Sequence, residues 1–445
     1  MRVGYVTTGA VAGWSLRRVP FGRVMEAGVE EAVGMSIREA ALAVVVALVA
    51  MGFAPAADAS VPIPTWTKAI AFDVRSGSVA VDPAGNTYVT GVQGQNATVA
   101  VLRKFDPNGE PVWTRTWSQA PAHTSGDLVA VAPDGSVYFA GTVGSSHFEG
   151  GAWFLRKYEA DGTLRWARDE PGWQHGRTAD HPTGLAVTRH EVVLSGSFQG
   201  CCGDFRILDG WVLAFGPDGS WRWRSPFEAP GLGAFSDEAE SVAVGAGGGI
   251  YVGGWAALGP ESDEVAADHE LFLQRLDRGG RVVWSRVYPD TAHIDQQFGT
   301  DLAVHHRELM ASALVDGVPV EYSRSRPGHA WLGRFTLDGS LVWSRRWGTS
   351  WTRAAQPAAV AVDDARRTFV VGTRRDPSDH GLDAFIRKYS PSGDLVWTLP
   401  LQQGQRVMLG SDVAWREGTL FFTAEAVKSR FGEALEGFLW KFVSA

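Results

Sequence analysis

The chain has 445 residues, 45% of them hydrophobic and 20% charged, which supplies a substantial core and excludes a disordered or low-complexity polymer. Lys+Arg 41 against Asp+Glu 49 give a net charge of −8, and no basic patch with interleaved aromatics appears, so nucleic acid is not an expected partner. The 53 Gly and 19 Trp both exceed ordinary usage and point to many tight turns between aromatic strands.

The first element is an apolar run, ALAVVVALVAMGFA over residues 41–54, followed by small residues at Ala57 and Ala59. This is the pattern of a secretory leader cut after Ala59, and the run is short for a membrane span, which needs about 20 apolar residues. Residues 1–59 are therefore expected to be a leader and 60–445 the mature chain, exported to the periplasm or outside the cell, with no stable membrane span. Met25 and Met35 both precede the run, and a start at either gives a leader of more usual length. Glu39 beside Arg38 departs from the cationic flank of such leaders, which leaves an uncleaved anchor as the alternative.

Two hairpin motifs then alternate along the chain. The first joins two strands, A and B, as in SVAVDPAGNTYVTG, and occurs seven times, each copy placing one Ala between larger residues: Ala80, Ala130, Ala186, Ala243, Ala303, Ala361 and Ala414. The second joins strands C and D, as in KFDPNGEPVW, with an aromatic or Leu eight residues before Trp113, Trp166, Trp223, Trp284, Trp343 and Trp397. Together they define seven units, numbered here from the one containing Ala80.

Four antiparallel strands repeated in this way predict an all-β fold, a single seven-bladed β-propeller. Ala suits the crowded innermost strand, and Trp fills the wider wedge between outer strands. Unit seven ends at GFLWKF without a D strand, whereas PIPTWTKAIAF near the start supplies Trp66 in the pattern of a D strand. The N-terminal strand is therefore expected to complete the C-terminal blade, residues 62–70 pairing with 437–442, which removes an open sheet edge.

The strings VAVDPAGNTYVTG and DAFIRKYSPSGDLVW resemble the bacterial SBBP-type β-propeller repeat over essentially residues 61–445, and units three and five lose the turn Gly. The resemblance implies the fold and assigns no activity, because one fold hosts many functions.

The A–B and C–D spacings are constant, whereas the B–C and D–A connections vary, and in an antiparallel unit both emerge on one face. Variable connections on a rigid frame are where binding concentrates. Of 11 His, all but His190, His305 and His306 fall in those connections. The candidate ligand-binding residues are Trp173, His175, His181, Asp237, Glu238, Glu240, Trp255, His269 and His293. No HExxH, Walker loop, G-x-S-x-G elbow or EF-hand spacing is present, so neither a cofactor nor a metal is assigned. The adjacent Cys201 and Cys202 close no loop, so a bridge between them would not staple the fold. The expected function is a monomeric, exported, non-enzymatic binding or scaffold protein, taking a protein, carbohydrate or small-molecule ligand on the B–C/D–A face. The alternative is a propeller hydrolase or lyase acting on an extracellular carbohydrate or related substrate.

Overall fold

The computed structural model describes residues 61–74, 77–94, 98–119, 122–144, 151–170, 179–199, 208–229, 237–258, 268–293, 300–315, 328–348, 354–375, 381–401, 407–427 and 435–443. The leader region and the Cys201–Cys202 pair lie outside them. Every described strand falls in the all-β repeat. The 28 strands form six sheets, five of which have four antiparallel strands. The sixth has eight, because a parallel bridge between Asp209 and Asp237 joins the four-stranded ladders of units three and four.

Burial explains the sequence pattern strand by strand. In unit two, the B strand Val137–Val143 and the C strand Ala152–Tyr158 are buried nearly throughout, since both of their faces pack against neighbouring sheets. The D strand of unit one, Pro111–Trp117, alternates exposed and half-buried residues, as an outer strand with one wet face must. Its Asp106 turn shows how the C–D hairpin closes: the Asp106 carboxylate accepts the N–H groups of Asn108 and Glu110, and Gly109 takes φ +79°. Where the A–B turns of units five and six lack Gly, His306 and Arg366 take the left-handed position instead, and in unit seven Glu417 takes it beside Gly418.

Each A strand touches the A strand of the next unit, and that of unit seven touches that of unit one. The strand Pro64–Ile70 pairs antiparallel with Leu435–Val443, from Pro64 opposite Phe442 to Ile70 opposite Gly437. The Trp residues of the D strands act between units. Trp66 donates from Nε1 to the carbonyl of Pro107, Trp113 to Ala160, Trp166 to Pro217, Trp223 to Arg278, Trp284 to Leu337 and Trp343 to Pro391, at 2.9–3.2 Å. Every acceptor is the second residue of the next unit's C–D turn. Trp397 faces unit seven, whose C and D strands come from opposite ends of the chain with no turn between them, and it packs against Phe369 instead.

A second set of bonds joins the units at the inside. The residue two before each Ala reaches to the next A strand: Ser78 Oγ accepts the N–H of Val129, Ser241 Oγ that of Leu302, Asp301 that of Val360 and Asp412 that of Val79, at 2.6–3.1 Å. In units two, three and six this position holds Leu128, Gly184 and Ala359, which cannot make the bond.

Candidate functional site

A cavity of ≈ 370 Å³ lies where the A strands meet and is lined by residues of all seven, including Ser78, Asp127, Ser241, Asp301, Ser411 and Asp412. Five A strands carry a β-bulge, at Asp127, Thr183, Glu240, Ala358 and Ser411, which sends two successive residues toward a single partner position. The three carboxylates are all held by protein donors. Asp127 accepts from the hydroxyls of Ser125 and Thr142, at 2.5 and 3.0 Å. Asp301 accepts from Ser241 Oγ and the Val360 N–H, at 2.9 and 2.7 Å. Asp412 accepts the backbone N–H groups of Val79 and Val413, each at 2.7 Å.

Burial pushes the Asp301 carboxyl up to about 6 against the pull of its hydrogen bonds. Burial, reinforced by the nearby charge of Asp301, pushes Asp412 up to about 7. None of these residues is among those singled out from the sequence. The available signal was a polar side chain two or three residues before Ala in an otherwise apolar inner strand.

The structure brings three polar groups together at the D–A end of units three and four. His181 Nε2 lies 3.2 Å from Glu238 Oε1 and 3.1 Å from Ser197 Oγ, which itself donates to Glu238 Oε1 at 3.0 Å. His181 and Glu238 each stand five residues before the Ala of their A strand, so the register places them side by side on neighbouring units. The arrangement is a triangle on one ring nitrogen. A nucleophilic triad uses both ring nitrogens, one for the hydroxyl and the other for the carboxylate, whereas here the same Nε2 faces both groups.

The other candidates are dispersed. Glu240 accepts the backbone N–H of Thr300 at 2.6 Å and so ties unit four to unit five. Asp237 is 3% exposed and accepts the N–H of Ala229 at 3.0 Å. Burial, reinforced by the charges of Glu228 and Asp209, pushes its carboxyl up to about 6. The expectation that Trp255 is presented on the rim is corrected: its B strand continues to Leu258, and Trp255, 1% exposed, packs edge-on against buried His269 with ring centroids 4.5 Å apart. His269 therefore belongs to this packing as well. The backbone of His293 pairs with Glu270, and its side chain lies outside the described residues, as do Trp173 and His175.

Among the described residues, no three His, Cys, Asp or Glu side chains converge to hold a metal ion, and no helix is long and apolar enough to cross a membrane. No family model matches the chain, and no curated protein does. Among solved structures, a mutant of Synechocystis apocarotenoid oxygenase aligns with a TM-score of 0.42 at 11% identity, over 74% of this chain and 72% of that one. The β-propeller domain of the Trilobed protease from Pyrococcus furiosus aligns with a TM-score of 0.42 at 9% identity, over 82% and 95%. A gluconolactonase from Xanthomonas campestris aligns with a TM-score of 0.35 at 13% identity, over 81% and 97%.

Proposed function

We propose that residues 60–445 form one seven-bladed β-propeller of the SBBP-repeat type, completed by its N-terminal strand, and that it works as an exported, monomeric binding module. The cyclic contacts of the A strands and the pairing of Pro64–Ile70 with Leu435–Val443 support the architecture. Its ligand, a protein, carbohydrate or small molecule, is held on the face of the B–C and D–A connections.

The observation that carries the binding reading is the half-buried His181–Glu238–Ser197 cluster. It offers donors and acceptors at the junction of two units on that face, with hydroxyl and carboxylate both facing the same His181 ring nitrogen. A glycan array, probed with the wild-type protein and the His181→Ala and Glu238→Ala variants, tests it. Specific retention by the wild type that both variants lose is the expected result. Retention unchanged in both variants removes the site from that junction.

One observation favours the hydrolase or lyase reading. Asp237 is a buried carboxyl whose proton is held to about pH 6, a property that suits a general acid. Turnover of chromogenic glycosides that disappears in Asp237→Asn decides for the enzyme.

A further inference from the structure

The face opposite the variable connections, formed by the A–B and C–D turns, has a chemistry that the rim reading does not use. The repeat supplies its own control there. The C–D turns of units one, two, three, five and six carry acids and no cation, as at Asp106 and Glu110 in unit one and Asp338 in unit five. The same turn in unit four reads Asp277-Arg278-Gly279-Gly280-Arg281 and so has two arginines. The A–B turns of the neighbouring units three and five add Arg189 and Arg307.

These arginines are not engaged by the fold. Elsewhere Lys68 pairs with Glu110, Arg156 with Asp169, and Arg334 and Arg366 with Glu308, while Arg345 donates to the Gly393 carbonyl. Arg189, Arg278, Arg281 and Arg307 are exposed and make no hydrogen bond, ion pair or ring contact among the described residues. The nearby acids do not neutralise them. Glu191 is buried beneath the turns, and Asp277 Oδ1 accepts the N–H groups of Gly279 and Arg281.

The four positions belong to one continuous patch. Trp223 Nε1 donates to the Arg278 carbonyl at 2.9 Å, which brings the unit-four turn against the strand that carries exposed Arg222. Arg222 lies 4.0 Å from Glu191, in the turn of Arg189, and Glu191 is within electrostatic reach of Arg278 as well. Arg278 crosses the A–B turn of unit four, where a Cβ at Gly248 would collide with its guanidinium. The next A–B turn follows directly, since a Cβ at Gly245 would lie 3.3 Å from Val304, three residues before Arg307.

The distribution of charge selects the kind of partner. Short turns of constant length build a shallow face, and a row of cations spread over three units engages an extended anion at several points. Acidic turns flank the row, with Asp161 on unit two and Asp394 on unit six, and the chain carries −8 overall. A densely charged polymer such as nucleic acid is therefore repelled along most of its length. A polysaccharide with one carboxylate per sugar spaces its charges farther apart and offers apolar C–H faces between them. Trp221, next to Arg222, supplies an independent sign: it is 56% exposed, the one exposed tryptophan among the described residues, and is braced by Phe215 with ring centroids 5.5 Å apart.

We propose that this face binds an acidic polysaccharide, its carboxylates paired with Arg189, Arg222, Arg278, Arg281 and Arg307 and one sugar ring stacked on Trp221. Guanidinium groups suit this task, because their planar fork matches a carboxylate. The binding is independent of the rim cluster on the opposite face, so either can fail without the other.

Isothermal titration calorimetry of the purified protein with polygalacturonate at low salt tests the proposal, with dextran as the neutral polymer. The informative variants are the pair Arg278→Gln with Arg281→Gln, then Arg222→Gln and Trp221→Ala, all of which change exposed side chains. Arg165→Gln removes the same charge from unit two, where Arg165 pairs with Glu159, and serves as the control for net charge.

The expected result is saturable binding of polygalacturonate that weakens as salt rises, and no binding of dextran. Affinity should fall about tenfold or more in the paired variant and about threefold in Arg222→Gln and Trp221→Ala, and should stay within about twofold in Arg165→Gln. Unchanged melting of the variants excludes unfolding as the cause of the loss. No saturable binding by the wild type overturns the proposal, as does an equal loss in Arg165→Gln and the paired variant. Loss in His181→Ala moves the polymer to the rim and also overturns it. Tighter capture of phosphatidylglycerol vesicles or of a single-stranded oligonucleotide through the same arginines replaces the polysaccharide with a lipid surface or a nucleic acid.

Discussion

The carbonyl of Pro107 accepts Trp66 Nε1 at 3.2 Å and Lys441 Nζ at 2.8 Å, so the two ends of the described chain meet on one atom of unit one. The same convergence recurs within the chain, where Ala160 accepts Lys104 and Trp113, and Pro217 accepts Lys157 and Trp166. The paired termini thus reproduce, through two distant segments, a contact that other units make with one continuous hairpin.

Trp66→Ala is expected to lower unfolding free energy by about 2 kcal/mol, through loss of the Pro107 bond and of edge packing on Phe421. Deleting residues 61–70 is expected to cost more, because it also uncovers the edge of Leu435–Val443. Urea denaturation of both variants measures the difference, and a deletion protein as stable as the parent would refute the role of this strand.

A turn glycine gives a sharper test of the contacts between units. Gly280 has φ +77°, and a Cβ there would lie 2.5 Å from the Trp223 ring, so Gly280→Ala is expected to cost about 2–3 kcal/mol. Gly247 meets nothing within 4 Å, and Gly247→Ala is expected to stay within about 0.5 kcal/mol. Equal midpoints for the two variants would contradict the contact.

The buried carboxylates make stability depend on pH. Asp301 at about 6 and Asp412 at about 7 lie above the unfolded Asp value of 3.8, so the native state binds more protons than the unfolded chain between these limits. Their contribution to stability therefore falls as pH rises from about 4 to about 7 and is constant above that, with a slope of roughly 1.4 kcal/mol per pH unit for each group inside its window. Asp301→Asn removes one of these groups and also the charge that raises Asp412. The variant is expected to gain on the wild type as pH rises from 4 to 8, and calorimetric scans at several pH values give the comparison. A difference that does not change with pH would count against the shifts.

Substitutions around the candidate residues are expected to separate sharply. Trp255→Ala, in the core, should cost about 3–5 kcal/mol, whereas His181→Ala, half-buried, should cost about 1 kcal/mol. Thermal melts distinguish them, and a mild Trp255 variant would return that residue to the rim.

What the sequence determined by itself is the repeat. The Ala of the inner strand, the turn Gly and the outer Trp recur at fixed spacing because each answers a local demand: crowding, a left-handed φ, or a wedge to fill. The pairing of the terminal strand was legible for the same reason, since Trp66 carries the D-strand pattern.

The tertiary structure alone decided which polar residues meet. His181 and Glu238 are 57 residues apart and become neighbours only through the register of adjacent A strands. The cavity carboxylates Asp127 and Asp412 were hidden by the bulges of their A strands, because a one-residue irregularity changes which side chains face inward and the alternation alone cannot reveal it. Trp255 shows the converse: its place just after Gly254 looked like a loop, but the strand runs on, and packing against His269 rather than local sequence sets its burial.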